Sequence, residues 1–339
     1  MFSKKNISKL GKAVVILSFF TLISLPSIGM FFPEFTESFL NEKRERASLP
    51  PLEINQDFFE KFNNYFADNF GFRDFLIHTN AKIDKSVFQS ANSDQVFIGR
   101  EGWMFYQESL NSRVLSQVDL ESVANRILDL QNYLREREKD FLFMVAPDKE
   151  SIKRELLPWF VDRNEENYQG LMALLEKKNV NYVDLKKALF AHRKKDIYSK
   201  LETHWTHLGV VIAANRILQF LDVPELQYEI IPGQRDGDLS DMIGIPAKED
   251  VPRIKIVEPE KKEDKNLLVF HDSFGIAFKD YFDPIFSGSK FVHWKDKESF
   301  YESLEKHLDE SVDMVILEFV ERDIPHVLEF GHVKGILNQ

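Results

Sequence analysis

The chain has 339 residues, of which 43% are hydrophobic and 29% are charged, a composition typical of a globular protein. Its formal net charge of −11 argues against a nucleic-acid-binding surface, because phosphate contacts need a basic face. The sequence contains no cysteine, which excludes a disulfide framework and thiolate chemistry.

The N-terminal segment predicts a membrane anchor. Lysines precede residues 13–32, which carry no charged side chain. A run of this length suits a helix that spans a bilayer, and lysines on its leading side predict a cytoplasmic N-terminus. The small-x-small triplet at 27–29 is compatible with signal-peptidase cleavage. The apolar run continues to Phe32, however, so we interpret residues 1–32 as an uncleaved signal anchor, with everything after residue 33 outside the cytoplasm.

Three predicted segments follow the anchor. Residues 33–55 are charged and marked by proline, which indicates a stalk or lead-in. Residues 56–90 predict helix, because phenylalanines recur near the spacing of one helical face. The stretch QVFIGREGWMFY, residues 95–106, predicts a β-hairpin with Gly99 and Gly102 at its turn.

From residue 120 onward, predicted helices and apolar strands alternate. Helices are predicted near 120–138, 164–178, 207–221 and after Ser273, and strands at 141–147, 180–185, 266–270 and 313–320. This alternation predicts an α/β fold with a mainly parallel sheet and helices on both faces. Residues 230–265, rich in glycine, proline and charge, predict a long excursion over the surface, a candidate flap on the substrate side. We expect one domain over 56–339.

The stretch LLVFHDSFG, residues 267–275, brings a histidine, an acid and a serine to the end of a short apolar strand. Open α/β sheets bind their ligands at the carboxyl ends of their strands. A serine on a tight strand-to-helix turn has the placement of a nucleophile. The structural alternative is that Asp272 or Ser273 only caps the next helix.

A second candidate segment is ETHWTHLG, residues 202–209. Glu202 and His204 are two positions apart, so in an extended segment their side chains point the same way. The Glu202 carboxylate can then accept the Nδ1–H of His204 and leave Nε2 as a base. Two alternatives stay open: a packing role for His204 beside Trp205, and a metal site formed with His207. Zinc, however, normally needs three or four protein ligands, and no HExxH or CxxC pattern is present.

These two segments belong to a longer set that resembles one family. The set comprises ERAS before LPPL, DNFGFRDFLI, QVFIGREGWMFY, VAPDKESI, ETHWTHLG, GDLSDMIGIP, HDSFG and LEFVERDI. In this order the stretches resemble the alginate O-acetyltransferase family of the AlgX/AlgJ type, whose domain is similar to SGNH hydrolases. The resemblance covers residues 44–330.

The resemblance implies an extracytoplasmic O-acetyltransferase that acts on an exported polysaccharide. The family's Asp-x-His and Ser positions fall on Glu202, His204 and Ser273. Glu202 stands where the family usually has Asp, and His271 stands where it usually has Gly. No Walker loop or GxGxxG motif is present, so no nucleotide or acetyl-CoA cofactor is expected. The resemblance implies a multi-spanning membrane acyltransferase as the acetyl donor.

The expected roles follow from a nucleophile, a base and an orienting acid. Ser273 is expected to be the nucleophile, His204 the general base and acid, and Glu202 its orienter, with no metal ion. Backbone N–H groups at and after Ser273 are expected to hold the oxyanion. The residues expected to contact substrate are Trp205, Thr206, Asp272 and Arg322. Two other functions stay open: a polysaccharide acetyl esterase, in which water replaces the sugar, and a non-catalytic glycan-binding scaffold of an export complex.

Overall fold

The computed structural model describes residues 4–30, 32, 46–52, 56–83, 95–157, 161, 165–295 and 299–330. The chain divides into two compact units. The first comprises Met1–Ser93 and Ser240–Pro246, and the second comprises Asp94–Leu239 and Ala247–Gln339.

The first unit contains the N-terminal helices α1 (Lys4–Gly29), α2 (Gln56–Asn69) and α3 (Arg73–Ile83). The single helix predicted over 56–90 is therefore interrupted, and residues 84–90 lie outside the described residues. At the interruption Phe72 adopts a positive φ of 65°. A Cβ on Gly71 would lie 2.5 Å from the Cα of Gly29, so this close approach to α1 requires glycine.

The membrane-spanning helix predicted over 13–32 is not confirmed. Helix α1 begins earlier and includes the leading lysines. Of the helices in the described ranges, none combines the length and the apolar character needed to cross a membrane.

Part of the predicted stalk contacts the helices that follow it. The guanidinium of Arg46 lies 2.6 Å from a carboxylate oxygen of Asp74, and the N–H of Ala47 donates to Asp68 at 2.9 Å. Both acids are buried, and buried carboxylates need such partners. Residues 33–45 and 53–55 of the predicted stalk lie outside the described residues.

The second unit begins with the predicted hairpin, which the structure confirms as the antiparallel strands β1 (Val96–Ile98) and β2 (Met104–Tyr106). A short 3₁₀ turn at Arg100–Gly102 joins them. Gly102 has a positive φ of 72°, a conformation that glycine adopts without strain.

The elements that follow include the predicted helices and strands together with several that were not predicted. They are α4 (Gln107–Leu110), α5 (Gln117–Arg135), β3 (Asp140–Ala146), α6 (Lys149–Ile152), α7 (Glu166–Lys177), β4 (Tyr182–Val183), α8 (Leu185–Ala191), α9 (His207–Phe220), β5 (Tyr228–Ile231), β6 (Gln234–Asp236), α10 (Asp238–Met242), β7 (Lys248–Asp250), β8 (Arg253–Ile256), β9 (Glu263–His271), α11 (Lys279–Phe282), β10 (Phe286–His293), α12 (Phe300–His307) and β11 (Met314–Val320). Further 3₁₀ segments lie at Arg154–Leu156, Gly275–Phe278 and Glu321–Glu329.

Within the described residues, the central sheet has five parallel strands in the order β10-β9-β11-β3-β4. Strand β3 is apolar at successive positions because both faces of the sheet are covered. Phe141, Phe143 and Val145 pack in a core with α5, α7 and α12, whereas Leu142 and Met144 pack in a core with α8 and α9. The predicted α/β fold, with a parallel sheet and helices on both faces, is confirmed.

The sheet differs from its prediction at both edges. Strand β10 was not predicted, because its sequence FSGSKFVH has no continuous apolar run; it is an edge strand whose residues are mostly half-buried or exposed. Strand β4 is shorter than the predicted 180–185, because Asp184 instead caps α8 by accepting the N–H of Lys187.

The surface excursion at 230–265 is more regular than predicted. Strands β5 and β8 form one antiparallel pair, and strands β6 and β7 form another. The long connection therefore carries its own backbone hydrogen bonds, which hold the side chains of β6 and β7 at defined positions.

Polar and charged residues follow the carboxyl ends of three neighbouring strands. Ser273 follows β9, the Glu321–Arg322 pair follows β11, and Asp148 follows β3. These strands are adjacent in the sheet, so the three loops meet at one edge, where open α/β sheets place their ligands.

Candidate active site

A buried acid fixes the turn that presents Ser273. Asp272 is 3% exposed, and its Oδ1 accepts the N–H of Phe274 at 2.7 Å. Its Oδ2 accepts the N–H of Val320, at the end of β11, at 2.6 Å. Asp272 therefore orients the turn and ties it to the neighbouring strand, while Ser273 itself is exposed.

Ser273 is not a helix cap in this structure. The 3₁₀ segment Gly275–Phe278 begins after Phe274, and no side-chain hydrogen bond caps it. Instead, the Ser273 Oγ lies 2.9 Å from Nε2 of His204. The structure thus joins the two segments that the sequence singled out, which are 69 positions apart.

The Glu202 side chain holds His204 by both oxygens. Oε1 lies 2.6 Å from Nδ1 of the imidazole, and Oε2 accepts the backbone N–H of His204 at 2.7 Å. A carboxylate accepts only, so Nδ1 carries the hydrogen and Nε2 is left to accept from the Ser273 hydroxyl. The imidazole also packs on the Phe274 ring, with centroids 4.6 Å apart.

A cleft of about 420 Å³ opens over Ser273 and His204. Charged and polar side chains on its wall come from the 230–265 excursion, namely Gln234, Arg235 and Arg253. Apolar lining comes from Ile276 and Ala277, just after the serine turn. An exposed serine hydroxyl, a histidine within hydrogen-bonding distance of it and a cleft of this size suit acyl transfer to or from a ligand.

A second buried acid lies under the serine turn. Glu318 on β11 is fully buried, and its Oε2 accepts the N–H of Asp272 at 3.1 Å. Burial raises the pKa of Glu318 well above its ordinary value, and the neighbouring Asp272 raises it further. Burial also raises the pKa of Asp272, but two backbone N–H groups favour its ionised form. Both carboxyl groups therefore have a raised pKa, and of the two Asp272 accepts the larger number of backbone N–H groups.

The serine turn leaves no room above Glu318. A Cβ on Gly275 would lie 2.4 Å from Oε2 of Glu318 and 2.6 Å from the His271 Cβ. Glycine at 275 is thus required by close approach. His271, at the position where the family usually has Gly, is buried, and its Nδ1 lies 2.6 Å from the Asp272 carbonyl oxygen. It does not line the cleft.

The structure gives the predicted substrate-contact residues partners within the protein. Trp205 lines the cleft but is only 1% exposed and packs edge-on against Phe274 and Phe278. Thr206 also lines the cleft, and its hydroxyl caps α9 by accepting the N–H of Gly209 at 3.3 Å. Contact of these two residues with substrate stays a prediction.

Asp272 and Arg322 are not in the cleft lining. Arg322 instead forms an ion pair with Asp148 at 2.5 Å, and a partly buried guanidinium needs such a partner. Its guanidinium lies 5.3 Å from the centre of the Phe274 ring. Asp272 thus supports the serine turn from within, and contact of Asp272 or Arg322 with substrate stays a prediction.

The alternative metal site of His204 and His207 is not formed, because the two imidazoles face different partners. The His207 Nδ1 instead lies 3.1 Å from the Tyr281 hydroxyl, and burial lowers the pKa of His207. Ligand atoms of Glu202, His204 and Asp238 do lie within 4.8 Å of one another. Arg235, however, places a guanidinium 3.0 Å from Glu202, where it supplies the positive charge that a cation would bring.

Sequence reasoning missed several residues that support the site. Three of them lie in the 230–265 excursion: Arg235, Asp238 and Glu249. The other two are Lys149, on α6, and Glu318, on β11. Asp238, Lys149 and Glu318 lie in GDLSDMIGIP, VAPDKESI and LEFVERDI, stretches that carried the family resemblance. The resemblance therefore held a usable signal for those three, whereas Arg235 and Glu249 lie outside every such stretch.

Comparisons with solved structures found proteins of similar fold. The fold is similar to the O-acetyltransferase domain of Pseudomonas putida AlgJ, with a TM-score of 0.50 and 17% identity over 72% of this chain and 95% of that one. It is similar to Pseudomonas aeruginosa AlgX, with a TM-score of 0.51 and 16% identity over 71% and 70%. It is also similar to Bacillus cereus PatB1, with a TM-score of 0.50 and 14% identity over 68% and 96%. At identities this low, the three matches show a shared fold and no more.

A search of curated proteins found no match. The family model of the SGNH hydrolase-like domain, acetyltransferase AlgX, matches residues 96–315, which include both candidate site segments. The expected family is thereby confirmed: the chain belongs to the AlgX family of SGNH hydrolase-like acetyltransferase domains.

Proposed function

We propose that this protein transfers an acetyl group, through a serine acyl-enzyme, onto hydroxyl groups of an exported polysaccharide. One observation carries the proposal: the Ser273 Oγ lies 2.9 Å from Nε2 of His204, whose Nδ1 lies 2.6 Å from Glu202, at the floor of an open cleft. These are the contacts that a nucleophile, a base and an orienting acid require. Membership of an acetyltransferase family favours acetyl as the acyl group.

In the first half-reaction, His204 Nε2 takes the hydroxyl proton as Ser273 Oγ attacks the acetyl carbonyl carbon of the donor. The bond between that carbon and the donor oxygen breaks, and His204 gives its proton to the departing oxygen. Glu202 stabilises the imidazolium that exists between these two transfers. The products are acetyl-Ser273 and a free donor hydroxyl.

In the second half-reaction, a sugar hydroxyl gives its proton to His204 and attacks the acetyl carbon. The bond to Ser273 Oγ breaks, and the serine recovers a proton from His204. The N–H of Phe274 already donates to Asp272, so we assign the oxyanion to the N–H of Ser273 itself. Backbone N–H groups after Ser273 were also expected to bind the oxyanion. The nearest of these, the N–H of Phe274, is already engaged by Asp272.

The acetyl donor is proposed to be a multi-spanning membrane acyltransferase, because acetyl-CoA does not occur outside the cytoplasm. A polysaccharide acetyl esterase would use the same side chains with water as the acceptor. The two reactions therefore differ in what the cleft admits after Ser273 is acylated.

The test uses the purified full-length protein with a chromogenic acetyl ester, alone and with added deacetylated alginate or a neutral glucan. We expect slow release of the chromophore, faster release with an acceptor polysaccharide, and acetyl groups on the recovered glycan. Ester hydrolysis that no polysaccharide accelerates would identify an esterase. A protein inert toward the ester, but retained by the glycan, would identify a scaffold.

We also propose that residues 13–32 hold the chain at the cytoplasmic membrane, with the catalytic domain on the extracytoplasmic side. The absence of charge from this segment supports the proposal, as does the exposure of apolar side chains on α1, such as Val15 and Leu17. A reporter that is active only outside the cytoplasm, fused after residue 339, is expected to be active and to sediment with membranes. Recovery in the soluble fraction would contradict the anchor, and an inactive reporter would contradict the compartment.

A further inference from the structure

The loop that carries Glu202 and His204 is held by charged residues of the β6–β7 strand pair. We propose that Arg235 on β6 is a positioning residue, which acts through Glu202 to hold the His204 imidazole in line with Ser273. This inference rests on the proposed function, because its effect is on turnover by Ser273.

Arg235 makes two contacts with the loop. Its Nη2 lies 3.0 Å from Oε1 of Glu202, the same oxygen that faces Nδ1 of His204. Its Nη1 donates to the carbonyl oxygen of Trp205 at 2.6 Å. One planar guanidinium thus fixes the Glu202 carboxylate relative to the backbone just beyond His204, a geometry that arginine supports better than lysine.

Two acids of the same region hold the rest of the loop. Glu249, opposite Arg235 in the β6–β7 register, accepts the backbone N–H groups of Lys200 and Leu201 at 2.7 and 3.0 Å. Asp238, just beyond β6, accepts the N–H and the hydroxyl of Thr203 at 2.7 and 2.9 Å. The excursion therefore serves to hold this loop, and Arg235 is the member that reaches the acid itself.

A buried ammonium holds the same loop from the interior. The Nζ of Lys149 donates to the carbonyl oxygens of Ser199 and Glu202 at 3.1 and 2.9 Å. Burial lowers the pKa of Lys149 to about 8. The backbone of Glu202 is thus fixed by Lys149 while its carboxylate is fixed by Arg235, so the side chain is held at both ends.

Holding the carboxylate matters more for glutamate than for aspartate. Glutamate has one more rotatable bond than aspartate, so its carboxylate can take more positions, including ones that turn the imidazole away from Ser273. A misplacement of about 1 Å costs up to about 10²-fold in rate. Arg235 removes that freedom by adding a charge-assisted contact to the oxygen that orients His204.

The test compares Arg235→Ala with Lys248→Ala in the full-length protein, using the chromogenic acetyl ester. Lys248 lies on β7 and forms an exposed ion pair with Asp236 at 3.4 Å. Its replacement therefore removes a positive charge from the same strand pair without removing a contact to the loop. We expect Arg235→Ala to lower kcat about 10- to 100-fold at little-changed KM. Millimolar methylguanidinium should restore part of the lost kcat, and Lys248→Ala should match the wild type.

An Arg235→Ala protein with wild-type kcat would overturn the inference. The inference would also be overturned if the loss of kcat were no larger than the loss of folded protein and methylguanidinium did not restore it. If the alanine variant does not fold, Arg235→Lys carries the test: lysine keeps the charge but cannot bridge both oxygens, so wild-type kcat in that variant would overturn the inference. A wild-type protein that is inert toward the ester rejects the proposed function, and this inference with it.

Discussion

Replacing Ser273 with alanine is expected to abolish acetyl transfer and ester hydrolysis while leaving the fold intact. The Ser273 hydroxyl is exposed and lies 2.9 Å from His204 Nε2, and it caps no helix. Its removal therefore deletes the nucleophile and little packing. We expect kcat to fall by roughly 10⁴-fold or more. The measurement is chromophore release from the acetyl ester, and mass spectrometry should find an acetyl adduct on the Ser273 peptide of the wild type only.

Ser299→Ala is the matched control for the loss of a serine hydroxyl. Ser299 caps α12 in a capping box with Glu302 and lies outside both site segments. Its removal should cost about 1 kcal/mol of unfolding free energy and leave turnover unchanged. If Ser273→Ala instead behaved like Ser299→Ala, with lower stability and retained activity, Ser273 would not be the nucleophile.

Glu202→Gln is expected to lower kcat by roughly 10³- to 10⁴-fold with the fold retained. The two oxygens of Glu202 face three donors: the backbone N–H of His204, its Nδ1–H and the Arg235 guanidinium. Glutamine has one acceptor oxygen, so either orientation of its amide places an NH₂ against a donor. The variant also cannot stabilise the imidazolium. The measurement is the ratio of kcat in the two proteins, with thermal unfolding as the check on folding.

Glu202→Asp provides the companion variant. It restores the residue usual in the family but shortens the reach to both His204 and Arg235. We expect a loss of about tenfold, equivalent to about 1.4 kcal/mol of activation free energy. Wild-type turnover in Glu202→Gln would remove Glu202 from the proposed triad and leave His204 as its only member in this segment.

The sheet was predictable wherever a strand is covered on both faces. The strands at 141–147, 266–270 and 313–320 are mostly apolar, with Glu318 as the buried exception on the last of them, and the structure places β3, β9 and β11 there as the three inner strands. Strand β10 was missed because an edge strand buries only part of its surface and needs no such run. The break between α2 and α3 was also missed, because it depends on the contact of Gly71 with Gly29.

The candidate site was predictable in its residue types and only partly in its environment. Glu202 and His204 are close in the chain, so their pairing follows from local geometry. The turn at Ser273 follows from a strand that ends in polar residues before a glycine. The contacts of Asp272 and Arg322 could not be predicted in this way, because their buried partners belong to distant parts of the chain: Glu318 lies on β11 and Asp148 follows β3.

The sequence by itself determined the fold class, the two candidate site segments, and the family whose motifs they share. Each of these depends on periodicity, spacing or local residue types, which short-range sterics and burial translate directly into structure. Only the tertiary structure decided that His204 contacts Ser273, that Glu318 accepts a hydrogen bond from the serine turn, and that Arg235 forms an ion pair with Glu202. These contacts join residues dozens of positions apart, and they exist only because the parallel sheet brings its strand ends to one edge and the β6–β7 pair folds back over that edge.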